Sequence, residues 1–169
     1  MFRGQYETAL TLLQEALALD PNNARTRAAL AFTYLRLGDA NAGLAEAERA
    51  VELAPAMGVY YTSRGECRAA LGEVEGAVAD FETALRLEPA NYRIYYNYAC
   101  FWAGRGDENQ CRRYLERTLT LCPPFFPPLV LRDPALARVR DAAWFAEVIR
   151  AGTREKRNGV DYPGGTTSN

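Results

Sequence analysis

One spacing constrains this chain more than any other property. Gly4, Gly38, Gly72 and Gly106 recur every 34 residues, and Pro21, Pro55, Pro89 and Pro123 keep the same interval. Leu19, Leu53, Leu87 and Leu121 stand two residues ahead of those prolines. Weaker columns share the phase: Ala16, Ala50, Ala84, then Thr118; Ala9, Gly43, Ala77, then Cys111. Agreement of several columns in one phase is not a product of composition. A period of about 20–50 residues marks a repeat array, in which each unit covers its neighbour's apolar face.

Each period reads as two helices, here called A and B. In the second unit, "ARTRAALAFTYLRLG" carries Leu30, Ala31, Tyr34 and Leu35 at helical spacing. Gly38 ends that helix where positive φ is wanted, and Asp39 opens the next as a cap. Helix B, "DANAGLAEAERAVELAP", stops near Pro55, which lacks the N–H that a continuing helix needs. The spacing therefore predicts an all-α chain of antiparallel helix pairs.

A 34-residue helix–turn–helix with these columns resembles the tetratricopeptide repeat (TPR). The fourth unit carries the resemblance best, with Tyr95, Tyr98, Ala99, Trp102, Gly106, Cys111, Leu115 and Pro123. The third has Tyr61, Gly65, Gly72, Ala77, Phe81, Ala84 and Pro89, and the second Leu30, Ala31, Tyr34, Gly38, Gly43, Ala50 and Pro55. The first has only helix B, from Tyr6 to Pro21. The resemblance implies a right-handed superhelical solenoid: a half repeat over 1–21, three full units over 22–123, a Pro-rich connection and capping helices over 124–151, and a disordered tail over 152–169. The polar, Gly-rich composition of that tail agrees. Helix A is missing from the first unit, so the expectation is a fragment or a mis-set start, with Tyr6, Leu10, Leu13 and Leu17 left bare. The prolines of "PPFFPPLVLRDP" predict an extended connection, followed by two short helices starting near Asp133 and Asp141.

Two residues depart from the pattern. Arg64 and Arg68 occupy sites in helix A of the third unit that are usually apolar or aromatic. Either their stems pack while their heads reach a carboxylate or solvent, or they form a buried anion-binding pair.

Composition excludes several classes of function. With 20 basic and 21 acidic residues the chain is not built to neutralise nucleic acid or an anionic membrane. It contains no His, the commonest general base and metal ligand. Cys67, Cys100, Cys111 and Cys122 form no C-x-x-C pair and read as reduced, buried thiols, so neither a metal nor another cofactor is expected. No phosphate-binding or nucleophile-elbow motif is present, and no run approaches the ~20 apolar residues of a membrane helix. The aromatic run "NYRIYYNYACFW" falls on packing faces of helix A rather than forming a base-stacking platform, and "RGD" at 105–107 spans an ordinary intra-repeat turn. The chain is expected to be cytoplasmic and not an enzyme.

What the resemblance leaves for function is the concave wall lined by A helices. Carried onto this sequence, its columns hold Arg25, Ala28, Ala29, Phe32 and Arg36; Val59, Thr62, Ser63, Glu66 and Ala70; and Arg93, Tyr96, Asn97, Cys100 and Ala103. From these, Arg25, Phe32, Arg36, Thr62, Ser63, Glu66, Arg93, Tyr96 and Asn97 form the candidate partner-binding groove. Phe32 and Tyr96 offer apolar area, while Arg25, Arg36, Arg93 and Asn97 offer donors to carboxylates or peptide backbone. The expected partner is an extended segment or short helix of another protein. One familiar subtype grips acidic chaperone tails through a Lys/Asn/Arg clamp, but here those columns hold Ala28, Phe32, Ser63, Arg93 and Asn97, and only Arg93 is clearly of the right type. Two other readings stand beside this one: a C-terminal regulatory region of a larger bacterial signalling enzyme such as a serine/threonine kinase, and a structural repeat that self-associates through its first half unit.

Overall fold

The computed structural model describes residues 3–158, with side chains to residue 153. Among these residues every regular element is helical: α1 (Arg3–Leu19), α2 (Ala24–Leu37), α3 (Ala40–Leu53), α4 (Gly58–Ala70), α5 (Val74–Leu87), α6 (Tyr92–Arg105), α7 (Glu108–Leu121), α8 (Pro127–Val130) and α9 (Ala143–Asn158), with a 3₁₀ turn at Pro134–Leu136.

The helix ends follow from local chemistry. Gly38, Gly72 and Gly106 have φ of 92°, 82° and 78°, a left-handed conformation that a Cβ disfavours. The turn from A to B is thereby set at one point in each complete unit. Asp39 and Asp107 then cap α3 and α7, their carboxylates accepting from the backbone N–H of Ala42 and Gln110. Asn23 caps α2 in the same way through Thr26. Such caps satisfy donors that the first helical turn leaves orphaned.

The chain divides into two compact units, residues 1–97 and 98–169. In the first, α2 packs on α3 and α4 on α5, with α1 against α2 and α3 against α4. Leu30, Ala31, Ala47, Ala50, Ala77, Phe81 and Ala84 are all at most 1% exposed, so the repeat columns are the core. The pairs sit close because small residues meet across them. A Cβ on Gly43 would come 3.0 Å from the Ala31 carbonyl oxygen, and one on Gly65 would come 3.3 Å from that of Ala77. Burying a ring such as Phe81 in this way contributes about 1.5–3 kcal/mol. Cys67 joins Ala31 and Ala47 in one cluster, acting as a small apolar group. α1 differs from α2, α3, α4 and α5, since it contributes no buried residue.

In the second unit, Tyr98 stacks on Tyr114 with centroids 4.2 Å apart and also contacts Trp102 and Phe101. The C-terminal half of the aromatic run is thus core packing. α9 lies against α7, burying Phe145, Val148 and Ile149, while Val130, Leu136 and Val139 are buried on the way to it. Arg138 donates to the Gly104 carbonyl, and the Trp144 indole donates to Glu108.

Three expectations for the C-terminal region need correction. The Pro-rich connection is not wholly extended: α8 forms within it because Pro127 opens the turn, where its missing N–H costs nothing. The segment after Asp133 is a single 3₁₀ turn rather than a helix. α9 continues to Asn158, so residues 152–158 are helical and not the start of a disordered tail. Residues 159–169, also assigned to that tail, lie outside the described residues.

Candidate functional site

Among the described residues Arg64 and Arg68 form an internal network rather than an anion site. Both reach Asp80, whose side chain is 3% exposed in the middle of α5. Arg64 donates Nη2 at 2.6 Å and Nε at 3.0 Å, and Arg68 donates Nη1 at 2.8 Å. Arg68 also faces Glu48 at 3.8 Å and Glu73 at 3.7 Å. The hydrogen bonds that Arg64 donates to Asp80 raise its pKa against the opposing effect of burial. A carboxylate of the chain itself occupies the place of an external anion.

On the helix-A face, four side chains gather. Phe32 of α2 is 48% exposed and meets Tyr6 of α1 edge to face at 6.3 Å. The Arg36 guanidinium lies over both rings, 5.7 Å from Tyr6 and 6.0 Å from Phe32. Arg36 makes no hydrogen bond or ion pair among the described residues, so its donors are available. Glu66 of α4 completes the group electrostatically: burial pushes its carboxyl up to about 7, with Arg36 pulling the other way. α2 and α4 touch directly, which brings Arg36 and Glu66 onto neighbouring helices.

The other expected residues are placed as follows. Arg25 is exposed. Ser63 is half-buried and its hydroxyl donates to the Val59 carbonyl. Arg93 is exposed with its guanidinium over Tyr92, while Tyr96 and Asn97 are half-buried. Thr62 is a correction. It is 5% exposed, and its hydroxyl donates to the Gly58 carbonyl, so it offers no surface to a partner. Ala103, from the wider set of columns, is likewise fully buried. Tyr6 belongs to the cluster and was not among the candidate site residues. Its signal in the sequence was an aromatic at the start of the half repeat, read only as a bare apolar position. A separate open concavity of about 260 Å³ lies in the second unit between α7 and α9, lined by the exposed Arg112–Glu116 pair and by Leu119 and Val148.

Comparison with known families settles what the period means. A TPR repeat model matches residues 2–38, and a tetratricopeptide repeat model matches 24–57 and 59–91. The chain belongs to the tetratricopeptide repeat family. Over 95 residues this TPR chain is 32% identical to the Hsp70-Hsp90 organizing protein of Triticum aestivum, covering 56% of the chain and 16% of that protein. Over 84 residues it is 32% identical to serine/threonine-protein phosphatase 5 of Homo sapiens, covering 50% and 17%. The chain thus matches only a small part of either relative. Among solved structures, TTC0263, a thermophilic TPR protein of Thermus thermophilus, superposes with a TM-score of 0.72 at 23% identity, over 92% of this chain and 83% of that one. YrrB, described as a TPR protein with an unusual peptide-binding site, gives 0.55 at 20% identity, over 70% and 61%. These structural likenesses show the TPR solenoid fold. The Asp80 column also carries an ion pair in the second repeat, where Arg27 donates to Glu46 at 2.7 Å beside the buried Leu30, Ala31 and Ala47, so the Arg64–Asp80–Arg68 network enlarges a polar contact that this A–B interface already holds.

Proposed function

We propose that this chain is a non-catalytic protein-interaction module, which takes an extended segment or short helix of a partner against the helix-A face of α2, α4 and α6. One observation carries the reading: Phe32 stands half exposed, propped by Tyr6 and overlain by a guanidinium with unused donors. Covering such a ring gains free energy, and an Arg fork beside it gives direction to the contact. Arg25, Ser63, Arg93, Tyr96 and Asn97 extend the surface across three helices. Similarity to the Hsp70-Hsp90 organizing protein and to YrrB, a TPR protein with a peptide-binding site, supports binding of this kind. An acidic chaperone tail is not the ligand proposed, because Ala28 and Phe32 stand where a clamp wants polar donors. The setting proposed is cytoplasmic; among the described residues no helix is long and apolar enough to cross a membrane.

A second reading, a regulatory region within a larger signalling enzyme, is favoured by the match to a short stretch of phosphatase 5. Peptide display tests the first reading. Segments selected on the wild-type chain should be lost from a folded Phe32→Ala/Tyr96→Ala variant. Equal enrichment on both chains would move the binding site elsewhere.

A further inference from the structure

Elsewhere in the first unit Arg27 pairs with Glu46, Arg49 with Glu52, and Arg64 and Arg68 with Asp80. Arg36 of α2 and Glu66 of α4 form no such pair, although their helices touch and the charge of Arg36 acts on Glu66. The Arg36 guanidinium is seated instead over two rings, 5.7 Å from the centroid of Tyr6 and 6.0 Å from that of Phe32. The half-buried Glu66 carboxyl makes no hydrogen bond or ion pair among the described residues. Arg36 therefore has two seats within reach, the rings it occupies and a carboxyl it leaves empty.

The other charged groups on the helices packed against α4 are engaged or exposed. On α2, Arg27 is held by Glu46, Tyr34 accepts from Gln14, and Arg25 is exposed. On α3, Glu48 faces Arg68, and Arg49 pairs with Glu52. On α5, Asp80 is held by Arg64 and Arg68, while Glu75, Glu82 and Arg86 are exposed. Within α4, Arg64 also lies over the Tyr61 ring, and burial keeps the Cys67 thiol protonated. Arg36 is thus the cation that answers Glu66. Burial pushes the Glu66 carboxyl up to about 7, and the chain contains no His to change charge in the same range. Neutral Glu66 leaves Arg36 on the rings with its donors open. Ionised Glu66 offers a charge-assisted bond, which is stronger than a contact with an exposed ring.

We propose that Glu66 gates the helix-A face by pH: while it is protonated, Arg36 holds a carboxylate of the partner segment, and once ionised it takes Arg36 from the partner. The gate rests on the function proposed above. Charge complementarity selects the ligand group, since the candidate groove residues include Arg25, Arg36 and Arg93 against a single acid, Glu66. A protonated Glu66 donates to an incoming carboxylate, whereas an ionised one repels it. The apparent affinity then follows the protonated fraction of Glu66, and falls about tenfold between pH 6 and pH 8.

The test probes the full chain with a synthetic array of short, N-acetylated peptides that lack His, so that no ligand group titrates between pH 6 and pH 8. Peptides bound at pH 6 are then measured by fluorescence anisotropy at both pH values. Those retained should contain Asp or Glu and should bind the wild type about tenfold more weakly at pH 8. With Glu66→Gln, checked for folding by circular dichroism, the ratio between the two pH values should fall to about one. Carboxyl carbon NMR reads the same linkage without a variant: bound peptide should raise the titration midpoint of Glu66. Equal affinity of the wild type at both pH values overturns the gate, as does an unmoved midpoint or the same ratio in Glu66→Gln. Binding confined to peptides without a carboxylate side chain also overturns it, while leaving the helix-A face as the site. No binding by any peptide at either pH overturns the gate together with the function on which it rests.

Discussion

Arg64 of α4 holds Asp80 of α5 by two donors, Nε at 3.0 Å and Nη2 at 2.6 Å, across an A–B interface that also buries Gly65, Ala77 and Phe81. With Arg68 adding a third donor, the carboxylate is almost wholly withdrawn from water but fully used. A buried ion group of this kind costs desolvation to form and costs more to break.

Asp80→Ala strands the Arg64 guanidinium, about four-fifths buried, and takes from Arg68 its shortest partner, and should cost about 3–5 kcal/mol in urea denaturation followed by circular dichroism. Replacing Arg64 and Asp80 together by Leu should recover most of that loss, since Arg68 keeps Glu48 and Glu73 nearby. A double variant as unstable as Asp80→Ala would show that the network is needed for packing and not merely tolerated.

Glu66 makes stability depend on pH near neutrality. Its folded pKa, about 7, lies above the ordinary value of 4.5, so the native state holds a proton that the unfolded chain has released. The resulting stability is complete below about pH 4.5 and is lost as pH rises through about 7. Glu66→Gln should match the wild type at the acid end and exceed it by on the order of 2 kcal/mol at pH 8, after allowance for its partial exposure. A pH-independent difference between the two chains would remove this account of Glu66.

One column of glycines should give opposite signs. Gly72 has φ of 82° with open space around its Cβ position, so Gly72→Ala should cost about 1–2 kcal/mol from the dihedral alone. Gly4 occupies the same column but lies within α1, also in open space, so Gly4→Ala should stabilise by up to about 1 kcal/mol. Thermal melts of the two variants measure both effects.

Burial pushes the Cys67 and Cys111 thiols up to about 12. Neither should be alkylated by iodoacetamide at pH 8 in the native chain, because the thiolate is the nucleophile. Both should react in urea, and peptide mass mapping distinguishes the sites.

The sequence revealed most where the repeat imposed a column. Leu30, Ala31, Ala50, Ala77 and Ala84 are core because each unit must meet the next at the same places. Asp80 was not legible as the partner of Arg64 and Arg68, because its column holds Leu12, Glu46 and Tyr114 in the other units and so imposes no single chemistry. Thr62 reads as a groove residue by column, yet a hydroxyl can turn back to the carbonyl four residues earlier and close the position. Prolines in 123–134 suggest extended chain, whereas Pro127 sits where a helical turn tolerates it. Composition places Gly152 at the head of a disordered tail, but it is buried within α9, where a Cβ would come 2.8 Å from Leu119. In each case the deciding contact was not encoded in spacing along the chain.

The most direct test of the central claim compares what three folded chains capture from the source cell's lysate: the wild type, Phe32→Ala/Arg36→Ala on the helix-A face, and Glu82→Ala/Arg86→Ala on exposed positions of α5. The account predicts a protein retained by the wild type and by the α5 variant but lost from the Phe32/Arg36 variant. Retention by the Phe32/Arg36 variant with loss from the α5 variant would contradict it.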